Sequence, residues 1–336
     1  MENVKHILIV HQGAIGDFIL SLPAIGSFRQ RYPDAAIEVW GYPAILQLVE
    51  KRFYADSIAS IDRKEIARFY SENTTLDAEL VARFREFDLI IIFGGERQKT
   101  LVRILERIQV KEVHSITTFP PAAESTHIID YQLSQLLPLG YESPDKIPRL
   151  FPGESDLTQA SDLFSKKQPG SKPLTVAMHI GGGSKNKVWP AGCFAQLSEK
   201  LVKEDDAEII VPFGPADEEV AQEYFNLIDS NAISPLNNLP LTRLATLLKK
   251  CSLYLGNDSG ITHLAAAVGT PVVALFGPTD PRVWGPRGDN VSIVYKAQEC
   301  SPCSREEMSG CVHKKCLEGI TVEEVYEKVK ETRGAQ

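Results

Sequence analysis

The chain has 336 residues, more than a single hydrophobic core usually organises, so two domains are expected. Its 43% hydrophobic and 24% charged residues fit a globular protein, and a net charge of −8 argues against a general nucleic-acid binder. There is no apolar run of about 18 residues and no signal-peptide pattern after Met1, which predicts a cytoplasmic protein that does not span a membrane and could still touch a membrane surface.

His6 to Val10 is an apolar strand, and HQGAIGD follows it. Gly13 and Gly16 lack the G-x-G-x-x-G spacing of a dinucleotide fingerprint, but they permit a tight turn that leaves Asp17 at a helix start. By itself Asp17 reads as a first-turn acid favoured by the helix dipole. The helix carries Phe18, Ile19, Leu22, Ile25 and Phe28 on one side, with Pro23 expected to kink it. Strands are predicted at Ile37–Trp40, Ser57–Ile61 and Leu89–Phe93, with a helix over Ala44–Lys51. In the helix after Gly94-Gly95, Leu101, Ile104, Leu105 and Ile108 form the apolar side. Lys99, Arg103 and Arg107 share another face, by default a solvated one.

Pro148 to Pro173 is polar and rich in Pro, Gly and Ser, which makes it the linker candidate. The predicted domains are 1–160 and 172–320, closed by a C-terminal helix over 321–336. Leu174 to Ile180 opens a second strand series and leads into HIGGGSKNKVWP. Walker A spacing is absent, yet Gly181, Gly182 and Gly183 let the backbone approach a diphosphate, with Ser184 and Lys187 adding a hydroxyl and a charge. A plain surface loop is the alternative reading, and His179 is expected to be a packed histidine. A strand at Glu208–Val211 precedes PFGPADEEV, where Asp217 and Glu218 begin a helix. Leu241–Lys250 is amphipathic.

Cys251 to Gly288 is the most informative stretch. Leu253–Leu255 is a strand; Asn257, Asp258 and Ser259 are helix N-caps; Ile261, Leu264, Ala265 and Val268 follow at helical spacing. Gly269 suits the C′ position, and Val272–Phe276 is a second buried strand. A βαβ unit whose helix begins in such a loop is a phosphate site in waiting, although Asp258 and Ser259 could equally only cap the helix. Alternating strands and helices throughout predict an α/β chain of two doubly wound, Rossmann-like halves with the ligand between them.

The string D-S-G-x-x-H-L-A-A-A-x-G-x-P-x-x-A-L-F-G-P-T from Asp258 to Thr279 resembles the signature of the ADP-heptose:lipopolysaccharide heptosyltransferases, glycosyltransferase family 9. G-D-x-x-x-x-L-P-A from Gly16 to Ala24 resembles that family's amino-terminal motif. The resemblance covers both ends of the chain and leaves the 60–170 region unmatched. It implies the GT-B fold, two Rossmann-like domains facing across a cleft, and inverting transfer of a heptose from ADP-heptose to the inner core of lipopolysaccharide.

It further implies that Asp17 is the general base and that Lys187, rather than Lys185, binds the diphosphate. Gly182, Ser184, Ser259, Gly260 and Ile261 would join Lys187 there, and Asp258 would hold sugar hydroxyls. His263 would reach a phosphate or support the loop. An acidic residue near 218 contacts the ribose in the family; the spacing is not clean, so Glu218 is named with Asp217 as runner-up. Phe276 to Asp280 would form a lid beside the donor, packed by Trp284-Gly285-Pro286. The family's acceptor is lipid-linked and anionic, which would make Lys99, Arg103 and Arg107 acceptor contacts and the protein peripheral to the inner face of the bacterial inner membrane. No cofactor is expected for catalysis. A GT-B sugar-nucleotide epimerase and a catalytically inactive nucleotide-sugar-binding protein are the alternatives.

Cys300, Cys303, Cys311 and Cys316 form C-x2-C…C-x4-C with His313 nearby, a spacing that could hold a structural Zn²⁺ or be cysteines that merely pack. Cys193 and Cys251 read as ordinary buried cysteines.

Overall fold

The computed structural model describes residues 4–62, 78–121, 124–143, 145–153 and 174–334. They belong to two compact units, Met1–Phe151 and Pro152–Gln336, each built on its own sheet. Most of the expected linker, from 154 to 173, lies outside the described residues.

In the first unit, β1 (His6–His11), β2 (Ala36–Gly41), β3 (Ser57–Ser60), β4 (Leu89–Gly94) and β5 (Val113–Thr117) form a parallel sheet in the order β3-β2-β1-β4-β5. β1 has no apolar alternation because both its faces are covered: Ile7, Leu8, Ile9 and Val10 are at most 1% exposed. The helix Ile15–Arg31 runs through Pro23, which lacks the N–H that would bond back one turn. Every residue from Phe18 to Phe28 is buried, not a single stripe, since the helix Ile128–Leu136 packs on it as well. The predicted helix over Ala44–Lys51 is only the turn Pro43–Leu46. Lys51 adopts a left-handed φ of 53°, and Arg52 bonds the Ala55 carbonyl at 3.1 Å, so the chain folds back where a helix would continue.

In the second unit, β6 (Leu174–His179), β7 (Ala207–Phe213), β8 (Ile233–Asn237), β9 (Leu253–Asn257), β10 (Val272–Phe276) and β11 (Val291–Tyr295) lie parallel in the order β11-β10-β9-β6-β7-β8. The order reverses between neighbours β6 and β9, where His179 pairs with Gly256. In the first unit it reverses between β1 and β4, where His11 pairs with Phe93. At such points the loops leaving the carboxyl ends diverge and leave a crevice. The closing helix, Val322–Gly334, packs Val325, Tyr326 and Val329 into the core of this unit. Among the described residues no helix is long and apolar enough to cross a membrane.

Candidate functional site

The second unit's reversal point carries the glycine loop after β6 and the polar turn after β9. Asn257, fully buried, fastens one to the other. Its amide Nδ2 donates to the carbonyls of Ile180 (3.2 Å) and Gly181 (2.8 Å), while its Oδ1 accepts the Trp189 N–H at 2.9 Å. Both ends of the loop are therefore clamped by one side chain, which the sequence offered only as a helix cap. Within the loop, Gly183 takes a φ of 65°, a left-handed conformation that favours glycine. Ser184 caps the short turn Lys185–Lys187, its Oγ accepting the Asn186 N–H.

Lys187 points toward the turn after β9: its Nζ lies 2.7 Å from Oδ2 of Asp258, and Thr279 Oγ1 donates to the same oxygen at 2.6 Å. The Asp258 side chain is 6% exposed and that of Lys187 is 23% exposed. Ser259 caps the helix Gly260–Ala267, so the N–H groups of Gly260 and Ile261 open that helix beside the ion pair. His263 is buried in the helix's first turn. Lys187, Asp258, Ser259, Gly260 and Ile261 thus meet at one place. The expected lid is instead a packed ledge: Phe276, Gly277, Pro278 and Asp280 are buried and Thr279 is tied to Asp258. A Cβ at Gly277 would lie 2.5 Å from Leu317, so that segment is wedged in place.

On the other side of the glycine loop is a cavity of about 490 Å³ lined by Gly181, Gly182 and Ser184 and by Asp217. Glu218 does not line it. As the first residue of the helix Glu218–Asn226 it is exposed, whereas Asp217 sits in the preceding turn. Asp217 accepts the Gly214 N–H at 3.1 Å and lies 3.4 Å from His179 Nε2. Burial pushes the Asp217 carboxyl up, but the His179 bond and charge and the Gly214 N–H outweigh it and hold the group below its usual range. Asp217 also occupies the space a side chain at Gly181 would need, since a Cβ there would fall 1.8 Å from Oδ1. Of the two acids named from the sequence, Asp217 is therefore the one placed at this cavity. His179 is packed, as expected, and also links two site groups, with Nδ1 3.4 Å from Ser259 Oγ.

In the first unit, Asp17 lies in the first turn of its helix and accepts the Ala14 N–H on Oδ2 at 3.1 Å. Asp17 is the first-turn acid read from the sequence, and its bond to Ala14 fixes the carboxylate at the reversal point of that sheet. There, Gln98 Nε2 from the loop after β4 donates to Gln12 Oε1 at 3.3 Å. Lys99, Arg103 and Arg107 are all exposed on the helix Lys99–Arg107, which starts beside that contact. Lys99 is ion-paired with Glu96.

All six cysteines are unpaired. Cys316 is turned into the second unit's core while Cys300 faces solvent. Burial, reinforced by Cys300, Cys316 and Cys311, pushes the Cys303 thiol up to about 11. Among the described residues no three His, Cys, Asp or Glu side chains are placed to hold a metal ion. Cys251 is buried, its thiol pushed up to about 12, mainly by burial, whereas Cys193 is only half-buried.

The family model of glycosyltransferase family 9 (heptosyltransferase) matches residues 95–313, more than half of the chain. Lipopolysaccharide heptosyltransferase 3 of Escherichia coli K12 is 26% identical over 330 residues, covering 92% of this chain and 93% of the relative. A solved family 9 glycosyl transferase from Veillonella parvula superposes with a TM-score of 0.81 at 22% identity, covering 100% and 99% of the two chains. The structure of E. coli ADP-heptose lps heptosyltransferase II gives 0.74 at 19% identity, covering 98% and 99%. The two parallel sheets with their flanking helices are the GT-B arrangement of those structures. With the glycine loop, the capped helix start and the matched family model on one chain, this protein is a glycosyltransferase enzyme and belongs to glycosyltransferase family 9, the heptosyltransferases.

Proposed function

We propose that the protein transfers a heptose from ADP-heptose to a hydroxyl of the lipopolysaccharide inner core, with inversion, by one displacement at the anomeric carbon. The observation that carries this reading is the Lys187–Asp258–Thr279 cluster beside the start of the helix Gly260–Ala267. A diphosphate leaving group needs positive charge and N–H donors fixed in advance where its own charge develops. Lys187, Ser184 and the N–H groups of Gly260 and Ile261 supply them. Asp258, relieved of Lys187 by the phosphates and still bonded to Thr279, would accept hydrogen bonds from sugar hydroxyls. Asp217 would take the ribose hydroxyls, as a carboxylate already ionised at neutral pH.

In the step itself, the acceptor oxygen attacks the anomeric carbon as the bond from that carbon to the phosphate oxygen breaks. Asp17 takes the hydroxyl proton, a general-base contribution of about 10²- to 10⁴-fold, and ADP leaves with the electron pair. No covalent sugar–enzyme intermediate is required, and no step is routed through a metal. The anionic, lipid-linked acceptor suits the exposed Lys99, Arg103 and Arg107 and would bring the protein to the inner face of the membrane.

The test offers ADP-heptose with and without deacylated inner-core acceptor. Sugar transfer that requires the acceptor is the expected result. An altered sugar nucleotide formed without acceptor would replace this reading by an epimerase, and ADP-heptose binding with no turnover under either condition by an inactive binder.

A further inference from the structure

His11, the last residue of β1, is only 2% exposed and has no part in the chemistry above. Its ring packs edge-on against Phe18, at 5.1 Å, and tilted against Phe93, at 5.4 Å between centroids. Both ring nitrogens are engaged. Nδ1 accepts the Gly13 N–H at 3.2 Å, so the ring proton is on Nε2, 3.1 Å from Ser21 Oγ. The Ser21 hydroxyl donates onward to the Asp17 carbonyl at 2.9 Å. The donors run one way, from Nε2–H to Ser21 and from Ser21 to the backbone of Asp17. Burial lowers the imidazole to about 3, so it is neutral at working pH and the polarity of the chain is fixed.

The same ring forms the wall on which the turn folds. A Cβ at Gly13 would lie 2.6 Å from His11 Cε1 and 2.7 Å from Asp17 Cβ, so the imidazole and the Asp17 side chain flank one spot. Asp17 is held at its carbonyl by Ser21 and, through Ala14, at its carboxylate. We infer that His11 is a positioning residue for Asp17, acting through Gly13 and Ser21 to keep the carboxylate in the one orientation that can receive the acceptor proton. This rests on the role proposed for Asp17. Small displacements of a reacting group lower rates about 10²-fold, which sets the scale of the effect.

His11→Phe keeps the ring and removes both hydrogen bonds; Ser21→Ala keeps His11 and cuts only the onward link. With ADP-heptose and deacylated inner-core acceptor, His11→Phe is expected to lower kcat about 10- to 100-fold and Ser21→Ala about 3- to 10-fold, with the KM for donor unchanged. In an Asp17→Asn background, His11→Phe should lower the residual rate no further, because both changes act through one carboxylate. Nitrogen NMR of the unmodified chain should find His11 protonated on Nε2 alone. Full kcat in both single variants, losses that multiply with Asp17→Asn, or a proton on Nδ1 would each overturn the inference while leaving Asp17 as base. Normal turnover in Asp17→Asn itself would instead remove the base and this inference with it.

Discussion

Asp258 binds a cation and a hydroxyl through a single oxygen and is almost wholly enclosed. Lys187→Ala would leave that charge with Thr279 alone. We expect kcat to fall about 10²- to 10³-fold and stability to fall by about 1 to 2 kcal/mol, the cost of an under-satisfied buried group. Adding Asp258→Asn should recover melting temperature but not turnover, whereas recovery of both would mean the lysine serves only the fold. The sequence named both residues, through separate motifs, yet nothing in it shows that residues 71 positions apart are partners. The same holds at Gly181. The family resemblance named Glu218 with Asp217 as runner-up, and the turn before the helix carries Asp217 to the cavity and fills the space beside the glycine. Gly181→Ala should therefore displace Asp217 and weaken ADP binding about tenfold, near 1.4 kcal/mol. Asp217→Asn should give a similar loss in calorimetric titration. A loss on Glu218→Gln with none on Asp217→Asn would give the ribose contact to Glu218.

At the level of elements, what the sequence displays depends on how completely each segment is covered. Strands β1, β4, β6, β9 and β10 are buried almost throughout, and each carries a buried apolar run, broken only by Thr175 in β6 and ended by Gly256 in β9. By contrast β5, β8 and β11 stand at the sheet edges, half-exposed and mixed in composition, so no periodicity announces them. The closing helix shows a further signal that is local and easily passed over, T-x-x-E at its start. Glu324 accepts the Thr321 N–H at 2.8 Å and Thr321 Oγ1 accepts the Glu324 N–H at 3.2 Å, while Lys296 lies 3.1 Å away. The Thr321 N–H, then Lys296 and the Thr321 hydroxyl, pull the Glu324 carboxyl down to about 2. A pKa depressed on folding adds stability that is complete above the unfolded value of about 4.3 and is lost as pH falls through the folded one. Melting of Glu324→Gln should accordingly trail the unsubstituted protein by less than about 1 kcal/mol at neutral pH, since the group is solvent-accessible. The gap should close between about pH 4 and pH 2. A gap that stays constant through that range would show that the charge is not involved.

For the whole molecule, the two compact units divide the chemistry as well as the chain. Every group assigned to the donor, from Ser184 and Lys187 through Asp217 to Ile261, belongs to Pro152–Gln336, and the proposed base belongs to Met1–Phe151. Each unit has a parallel sheet of its own, and in the second both donor loops spring from adjacent strands of that sheet and are clamped by Asn257. Among the described residues, the clamp of Asn257 and the Lys187–Asp258–Thr279 cluster are all made within the second unit. A chain beginning at Pro152 should therefore fold, melt cooperatively and bind ADP within about threefold of the full-length affinity, a difference under roughly 0.7 kcal/mol. It should have no transferase activity, because the carboxylate proposed to accept the proton is missing. Calorimetric titration of both chains with ADP checks this: a folded fragment that binds ADP more than tenfold weaker would mean that the first unit contributes to donor binding, contrary to the division drawn from the sheet topology.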